Sequence, residues 1–290
     1  MIWAVATVIA AALQTARNAA QAGLDQRIGS VGAASVRFIF GLPFALLAAA
    51  LILAVAGLPR PSAATFGWAA FGAVAQIVAT VFMLLTMRGR GFGVATALMK
   101  TEPITLALIA ALLLAEPLSL PQLAAILIAV SGVVLMSAAD WSRASLRGIA
   151  TGITAGALFG LSAIGFRGAI LTLPGSAFLP QAALVLAMTL LIQTALCLIW
   201  LVLTSPATLT GMRREWRASV GAGGLGAAAS LFWFIGFALT PAANVRTLAL
   251  IEVVFAQIVS GRVFRQGTSP RQIAGMALIL AGVILLLRAA

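Results

Sequence analysis

Residues 93–136 read GVATALMKTEPITLALIAALLLAEPLSLPQLAAILIAVSGVVLM and carry the strongest pattern in the chain. It contains two apolar segments on either side of a short polar corner, AEPLSLPQ, at residues 115–122. A related stretch, VRTLALIEVVFAQIVSGRVFRQGTSPRQIAGMALILAGVILLL, occupies residues 245–287. An ungapped offset of 150 residues aligns Glu102 with Glu252, Ser119 with Ser269, Gln122 with Gln272, Gly132 with Gly282 and Leu135 with Leu285. A repeat of this kind predicts two copies of one structural unit, residues 1–139 and 140–290.

The composition is that of a membrane protein. Hydrophobic residues make up 62% of the chain and charged residues 8%, and the mean hydropathy is +1.14. Soluble domains are about half apolar and about a quarter charged. There is no histidine and Cys197 is the single cysteine, which excludes a disulfide framework and the usual zinc and haem sites. We therefore expect a lipid bilayer as the surroundings, with no metal and no cofactor.

Ten apolar spans separated by short breaks are predicted. They lie near residues 2–22, 31–56, 65–87, 93–114, 119–139, 147–171, 178–203, 218–238, 242–262 and 270–288. Long apolar runs must be helices, because every backbone polar group in lipid needs an internal partner. Five spans per repeat is an odd number, so the second copy must insert upside down. The prediction is an all-α integral membrane protein with two inverted five-helix repeats around a central cavity.

Basic residues concentrate on one side of this topology. The loops after the odd-numbered spans hold Arg27, Arg88, Arg90, Arg143, Arg147, Arg213, Arg214, Arg217, Arg265 and Arg271, whereas the opposite side holds Arg60 and Arg288. The positive-inside rule places the arginine-rich loops in the cytoplasm and both termini outside. This distribution explains the net charge of +12 without a nucleic-acid partner. We expect a multi-pass protein of the bacterial inner membrane, present as a monomer.

Ionisable residues at membrane depth are the first candidates for function, because burying them is unfavourable. Lys100 and Glu102 are two residues apart and Arg246 and Glu252 are six apart, so each charge is expected to pair with another helix. Two interpretations stay open: structural ion pairs at helix ends, or contact with a substrate amine and proton coupling. Arg17 and its repeat equivalent Arg167 either reach towards the interface or contact an anion.

Further candidates for substrate contact are apolar, aromatic and amide side chains. Trp233 lies in mid-span, away from the interfacial belts where tryptophan is common, and its indole needs a polar partner. Pro103 removes a hydrogen bond from the carbonyl of Met99, which either bends the helix or exposes a binding group. The remaining candidates are Phe82, Met83 and Phe159 for apolar contact, and Gln76 and Asn244 for polar contact.

Small residues predict where helices approach each other closely. In the sixth span, Gly148, Gly152, Gly156 and Gly160 recur every four residues along one helix face. The fifth and tenth spans carry no charge at membrane depth and consist mostly of Leu, Ile, Val and Ala. We expect these two spans at the periphery, against lipid or a partner.

The chain resembles the drug/metabolite transporter superfamily, in particular ten-helix carriers built of two EamA-type repeats. The resemblance is carried by Glu102-Pro103, by LAEPLS at residues 114–119 and by SGVVLM at 131–136. It implies alternating access and a similarity to bacterial exporters of amino acids, including aromatic ones. The second copy departs from the pattern, with Val253 in place of Pro103 and Gln266 in place of Glu116. Many such carriers keep both termini in the cytoplasm; the arginine distribution here favours the reverse.

The main hypothesis is a secondary transporter that exports amino acids or related small metabolites and binds them near the midplane. A multidrug or nucleotide-sugar carrier on the same fold is the first alternative. The second alternative is a membrane enzyme or a scaffold without transport. No GxxxxGK[ST], HExxH or GxSxG motif occurs, so ATP-driven transport and hydrolysis are not indicated and we expect no enzyme activity.

Overall fold

The computed structural model describes residues 1–87, 98–137, 146–175, 177–263 and 269–289. These residues form helices joined by turns, with no strand among them. The helices are α1 (Ile2–Ile39), α2 (Leu42–Ala56), α3 (Ala63–Met87), α4 (Glu102–Leu113), α5 (Leu120–Met136), α6 (Leu146–Leu171), α7 (Phe178–Thr204), α8 (Pro206–Arg214), α9 (Trp216–Leu239), α10 (Ala242–Leu248), α11 (Ile251–Val263) and α12 (Pro270–Ala289). The predicted all-helical membrane fold is confirmed.

Six helical stretches within the described part of the chain are long and apolar enough to cross a membrane: Gly23–Ala56, Ala63–Thr86, Leu146–Leu171, Phe178–Thr204, Trp216–Leu239 and Pro270–Ala289. The apolar helices α4 and α5 are shorter, with 12 and 17 residues. At 1.5 Å per residue, α4 is only about 18 Å long, against a hydrocarbon core of about 30 Å. The predicted count of ten spans stays a prediction, because two of these spans are interrupted by turns in the structure.

The chain divides into two compact units, and each draws on both halves of the sequence. Unit 1 comprises Met1, Ala75–Ile164 and Thr240–Ala290, and unit 2 comprises Ile2–Val74 and Gly165–Leu239. The predicted boundaries, 1–139 and 140–290, follow the sequence repeat rather than these clusters of contacts. As structural domains they stay a prediction.

Within unit 1, α5 and α12 cross in contact with each other through small residues. A Cβ atom on Gly132 would stand 2.6 Å from the carbonyl oxygen of Gly275, and one on Gly282 would stand 2.7 Å from that of Ala125. Gly132 and Gly282 are repeat equivalents, and so are Ala125 and Gly275. Reciprocal contacts of this kind are the pattern that two-fold symmetry produces. The helices from the predicted fifth and tenth spans therefore pack against one another.

Both of these helices begin with the same N-terminal capping arrangement. The side-chain oxygen of Gln122 accepts a hydrogen bond from the Ser119 N–H at 2.9 Å, and Ser119 Oγ accepts one from the Gln122 N–H at 3.4 Å. Ser269 and Gln272 repeat the arrangement at 2.8 and 3.3 Å. These are capping boxes, which satisfy backbone donors at a helix start. The Ser and Gln shared by the two sequence repeats mark helix starts.

Within unit 2, α1 reverses direction at Gly29, whose φ of 75° lies in the left-handed region that glycine tolerates. Gln21 Nε2 then donates to the carbonyl oxygen of Ala33 at 2.7 Å across this hairpin. The second arm of the hairpin packs on α9, where a Cβ atom on Gly223 would stand 2.5 Å from the carbonyl carbon of Phe40. Glycine on α9 therefore permits a backbone approach that any side chain would prevent.

Candidate functional site

The fourth and ninth predicted spans are both broken just before a glutamate. α4 begins at Glu102, after a turn closed by the Thr101 N–H and the Leu98 carbonyl at 3.1 Å. α11 begins at Ile251, after a turn closed by the Leu250 N–H and the Thr247 carbonyl at 3.1 Å. Glu102 and Glu252 therefore lie in the first turns of their helices, where the helix dipole favours a negative charge.

Pro103 explains the break in the first repeat. It occupies the first turn of α4, where its missing N–H would have no helical partner in any case. The Met99 carbonyl, which loses a donor for this reason, packs against α6: a Cβ atom on Gly156 would stand 2.9 Å from its oxygen. A Cβ atom on Gly160, one turn further along α6, would stand 3.2 Å from Leu106 Cβ. The structure thus places the Met99 carbonyl in a helix contact, and Pro103 acts as a helix starter.

Among the residues of unit 1 that the structure describes, two ion pairs join one repeat to the other. Arg246 Nε donates to Glu102 Oε1 at 2.6 Å and its Nη2 donates to Glu102 Oε2 at 2.7 Å. Lys100 Nζ donates to Glu252 Oε1. Each repeat contributes one acid and one base, and each acid bonds to the base of the other repeat. Pairing with another helix is what the sequence spacing led us to expect.

The surroundings make these pairs strong. The side chains of Glu102 and Arg246 are 9% and 20% exposed, and those of Glu252 and Lys100 are 11% and 33% exposed. Bidentate guanidinium–carboxylate pairs are among the stronger polar contacts in proteins. Removing one partner of a buried pair leaves an uncompensated charge, which costs about 3–5 kcal/mol. The crossed pairs therefore hold α10 to α4 and α11 to the turn at residues 98–101.

Asn244 lies close to Arg246 in sequence and is buried, with 2% of its surface exposed. Its Nδ2 donates to Thr240 Oγ1 at 3.1 Å. Its Oδ1 has no hydrogen-bond partner among the described residues. A buried acceptor without a donor is uncommon and unfavourable by about 1–3 kcal/mol.

Five other residues of unit 1 were candidates for contact with a solute. Met99 belongs to the broken turn and is buried. Phe159 is partly buried on α6, beside Gly160. Gln76, Phe82 and Met83 lie on α3 and are partly buried. Direct contact of these five residues with a solute stays a prediction.

Trp233 belongs to unit 2 and has the polar partner that its mid-span position required. Its indole Nε1 donates to Gln14 Oε1 on α1 at 3.2 Å, and its side chain is buried. Sequence reasoning did not single out Gln14. The signal was present, because Gln14, Arg17 and Gln21 recur at helical spacing along one face of α1. The role of Trp233 in lining a cavity stays a prediction.

Arg167 has a structural contact. Its Nη1 donates to the carbonyl oxygen of Phe237 at 2.5 Å, near the end of α9. The last carbonyls of a helix lack intrahelical donors, so a cation at this position is favourable. Neither of the two interpretations made from the sequence, interface or anion, included this one.

Comparison with known proteins gives the context of this geometry. The EamA-like transporter family matches residues 1–138 and, a second time, residues 146–288. The chain belongs to this family. It is accordingly a multi-pass membrane transporter of the drug/metabolite transporter superfamily, built from two EamA-like repeats. The crossed ion pairs of this EamA-like chain join one repeat to the other.

A solved structure described as "Crystal structure of protein" is similar to this EamA-like chain with a TM-score of 0.76. The two sequences are 18% identical, and the similarity covers 99% of this chain and 97% of that one. At this identity the likeness shows a shared fold alone. No curated protein matches the sequence.

Proposed function

We propose that this EamA-like chain is a secondary carrier that exports amino acids or related small amphipathic metabolites by alternating access. The observation that carries the proposal is the pair of crossed ion pairs at the two broken helices, in which the acid of each repeat binds the base of the other. Broken helices at membrane depth are a recurrent feature of solute sites in secondary transporters.

The crossed pairs favour a solute that carries both charges. A purely cationic or anionic solute would leave one member of a pair without a counter-charge, which is unfavourable by several kcal/mol. An amino acid offers a carboxylate to Arg246 or Lys100 and an ammonium group to Glu102 or Glu252. Both members of a pair then keep a partner when the pair opens. The Oδ1 atom of Asn244 is a further acceptor for the ammonium group.

Alternating access follows if the pairs open and re-form during the cycle. In this proposal Met99 and the apolar candidates Phe82, Met83 and Phe159 contact the solute's side chain, and Gln76 orients its polar groups. Because a zwitterion replaces both charges of a pair at once, its binding lowers the barrier to separating the helices that the pair joins. Rocking of one repeat against the other then changes the side from which the site is open.

The decisive experiment is counterflow in proteoliposomes that contain the purified chain. Liposomes loaded with one unlabelled amino acid are exposed to a trace of its labelled form, and the series is run across the amino acids. We expect accumulation for at least one of them, and a large loss in Glu102→Gln and Arg246→Gln. Glu215→Gln is the matched control, because Glu215 pairs with Arg27 on an exposed surface.

The absence of counterflow for every amino acid would refute the substrate class. In that event, flux of a bulky organic cation or of a nucleotide sugar would identify the alternative carriers on the same fold. Turnover of a lipid, with no flux of any solute, would instead identify an enzyme.

Proton coupling through Glu102 and Glu252 is a separate hypothesis, motivated by carboxylates at membrane depth. It predicts that the dependence of flux on external pH disappears in Glu102→Gln and in Glu252→Gln. If both variants keep the wild-type pH profile, these residues do not couple protons, and facilitated diffusion becomes the simpler mechanism.

The proposed location is the bacterial inner membrane, with the arginine-rich loops in the cytoplasm and both termini outside. Arg88, Arg90, Arg143 and Arg265 of these loops lie outside the described residues. Labelling of a terminal cysteine tag by an impermeant reagent in intact cells tests this orientation. Protection of both termini from that reagent would reverse it.

A further inference from the structure

Residues 205–217, which we call the basic connector, join two membrane-spanning helices of unit 2. The apolar helix Phe178–Thr204 ends immediately before the connector, and the apolar helix Trp216–Leu239 begins at its end. The end of one span and the start of the next lie at the same face of a bilayer, because each span crosses the hydrocarbon core once. The short helix α8 between them therefore lies at the boundary of that core.

One face of the connector is fixed to the hairpin of α1. Met212 of α8 is buried in a cluster of apolar residues that includes Leu24 of α1. Glu215, directly after α8, accepts a hydrogen bond from Arg27 Nη1 at 2.7 Å through its Oε2 atom. These contacts hold the connector in one orientation, so its opposite face points away from the rest of unit 2.

That opposite face is basic. It carries Arg213, Arg214 and Arg217, and all three are exposed. The sequence of unit 2 contains two carboxylates, Asp25 and Glu215. No carboxylate among the described residues forms an ion pair with any of the three arginines. The connector therefore presents positive charge to its surroundings.

The helix on which Arg217 lies does not explain this residue. Arg217 is in the first turn of α9, where the helix dipole disfavours a positive charge. Arg213 and Arg214 are in the last turn of α8, where the dipole favours a cation. A counter-charge from outside the chain accounts for all three positions.

Trp216 lies between these arginines in sequence and is 53% exposed. The guanidinium group of Arg217 lies 5.5 Å from the centroid of its ring. Tryptophan is enriched where the hydrocarbon core meets the lipid headgroups, because its ring is apolar and its indole N–H is polar. An exposed indole beside exposed arginines fits a surface that offers both acyl chains and negative charge.

We propose that the basic connector binds the headgroup phosphates of anionic phospholipids, with Trp216 at the boundary of the acyl chains. Arginine N–H groups form strong, charge-assisted hydrogen bonds to phosphate oxygens. Each basic residue near an anionic bilayer surface strengthens attraction to it by a factor of about five. The proposal requires that the chain spans a membrane, and it is independent of the solute proposed for unit 1.

The alternative is that these arginines only direct the orientation in which the chain inserts, as the positive-inside rule describes. That role requires no lasting contact with a particular headgroup. The two interpretations therefore differ in the lipid that lies beside Trp216 in a finished bilayer.

The test identifies that lipid with the full-length chain reconstituted in phosphatidylcholine bilayers. Brominated phosphatidylglycerol and brominated phosphatidylcholine, which quench tryptophan fluorescence at short range, are compared at equal mole fraction. Subtracting the signal of the Trp216→Phe variant isolates Trp216 from the remaining tryptophans. We expect Trp216 to prefer phosphatidylglycerol roughly tenfold to hundredfold.

Arg213→Gln, Arg214→Gln and Arg217→Gln should each lower this preference about fivefold, and the triple Gln variant should have none. The triple Lys variant keeps the charge and should keep most of the preference. Arg60→Gln is the matched control. Arg60 is exposed and follows the span Gly23–Ala56, on the membrane face opposite the α1 hairpin, so this variant should behave like the wild type.

Each variant is first required to elute as a single species in size-exclusion chromatography. If the triple Gln variant fails this requirement, a salt series on the wild type carries the test, because screening at about 0.5 M salt should remove most of the preference seen at about 0.05 M. The proposal is overturned if wild-type Trp216 does not prefer phosphatidylglycerol. It is also overturned if the folded triple Gln variant, or the wild type in high salt, keeps the full preference.

Discussion

The bidentate pair of Glu102 and Arg246 allows a quantitative prediction. Glu102→Gln or Arg246→Gln alone leaves the opposite charge buried, so each should lower the free energy of unfolding by about 3 kcal/mol. The double variant leaves no isolated charge and loses the same two hydrogen bonds only once. We therefore expect the double variant to lose clearly less than the sum of the single variants, with a coupling energy of about 2 kcal/mol or more.

The assay is equilibrium unfolding in mixed micelles titrated with a denaturing detergent, followed by circular dichroism. The control cycle is Arg27→Gln with Glu215→Gln, whose side chains are 61% and 31% exposed. Exposed pairs are worth about 0–1 kcal/mol, so this cycle should show little coupling. Additive effects of Glu102→Gln and Arg246→Gln, or coupling no larger than in the control, would refute the reasoning.

The remaining predictions concern the backbone: a close helix contact, a residue with positive φ and a helix N-cap. Gly156→Ala should lower the free energy of unfolding by about 1–3 kcal/mol, because the added Cβ atom would stand 2.9 Å from the Met99 carbonyl oxygen. Ala115→Gly should raise stability by about 1 kcal/mol, because Ala115 has a φ of 51°, and a lower melting temperature in a thermal scan would contradict this. Ser119→Ala should cost about 1 kcal/mol by removing the capping box with Gln122; the Gln122→Ala variant, measured alongside, should lose a similar amount.

The sequence predicted the features that depend on composition and period. The apolar spans gave an all-helical membrane protein, and the offset of 150 residues gave two repeats. The spacing of Lys100 and Glu102 excluded a bond between them, and each does pair with a residue of the other repeat. The mid-span position of Trp233 predicted a polar partner, which is Gln14. In each case the inference needed only local geometry and the unfavourable burial of a polar group.

Other features depend on tertiary contacts that a single sequence does not contain. The carbonyl of Met99 was a candidate ligand, but its surroundings depend on where Gly156 of another helix lies. The sequence suggests that Arg17 reaches towards the interface or contacts an anion, but it does not show that the helix continues beyond Arg17 and reverses at Gly29. The sequence contains Gln21 and Ala33, but it does not show that a hairpin brings the Gln21 side chain to the Ala33 carbonyl oxygen.

The crossing of α5 with α12 bears on how such a chain can arise. Gly132 meets Gly275 and Gly282 meets Ala125, so each half presents the same surface to the other. Two separate copies of one half-length protein, inserted in opposite directions, can make this contact without any change in sequence. Gene duplication and fusion would therefore inherit a working interface, and later drift would be free to differentiate the charges at the two broken helices. The differences between Lys100 and Leu250, and between Thr96 and Arg246, have the form such specialisation takes.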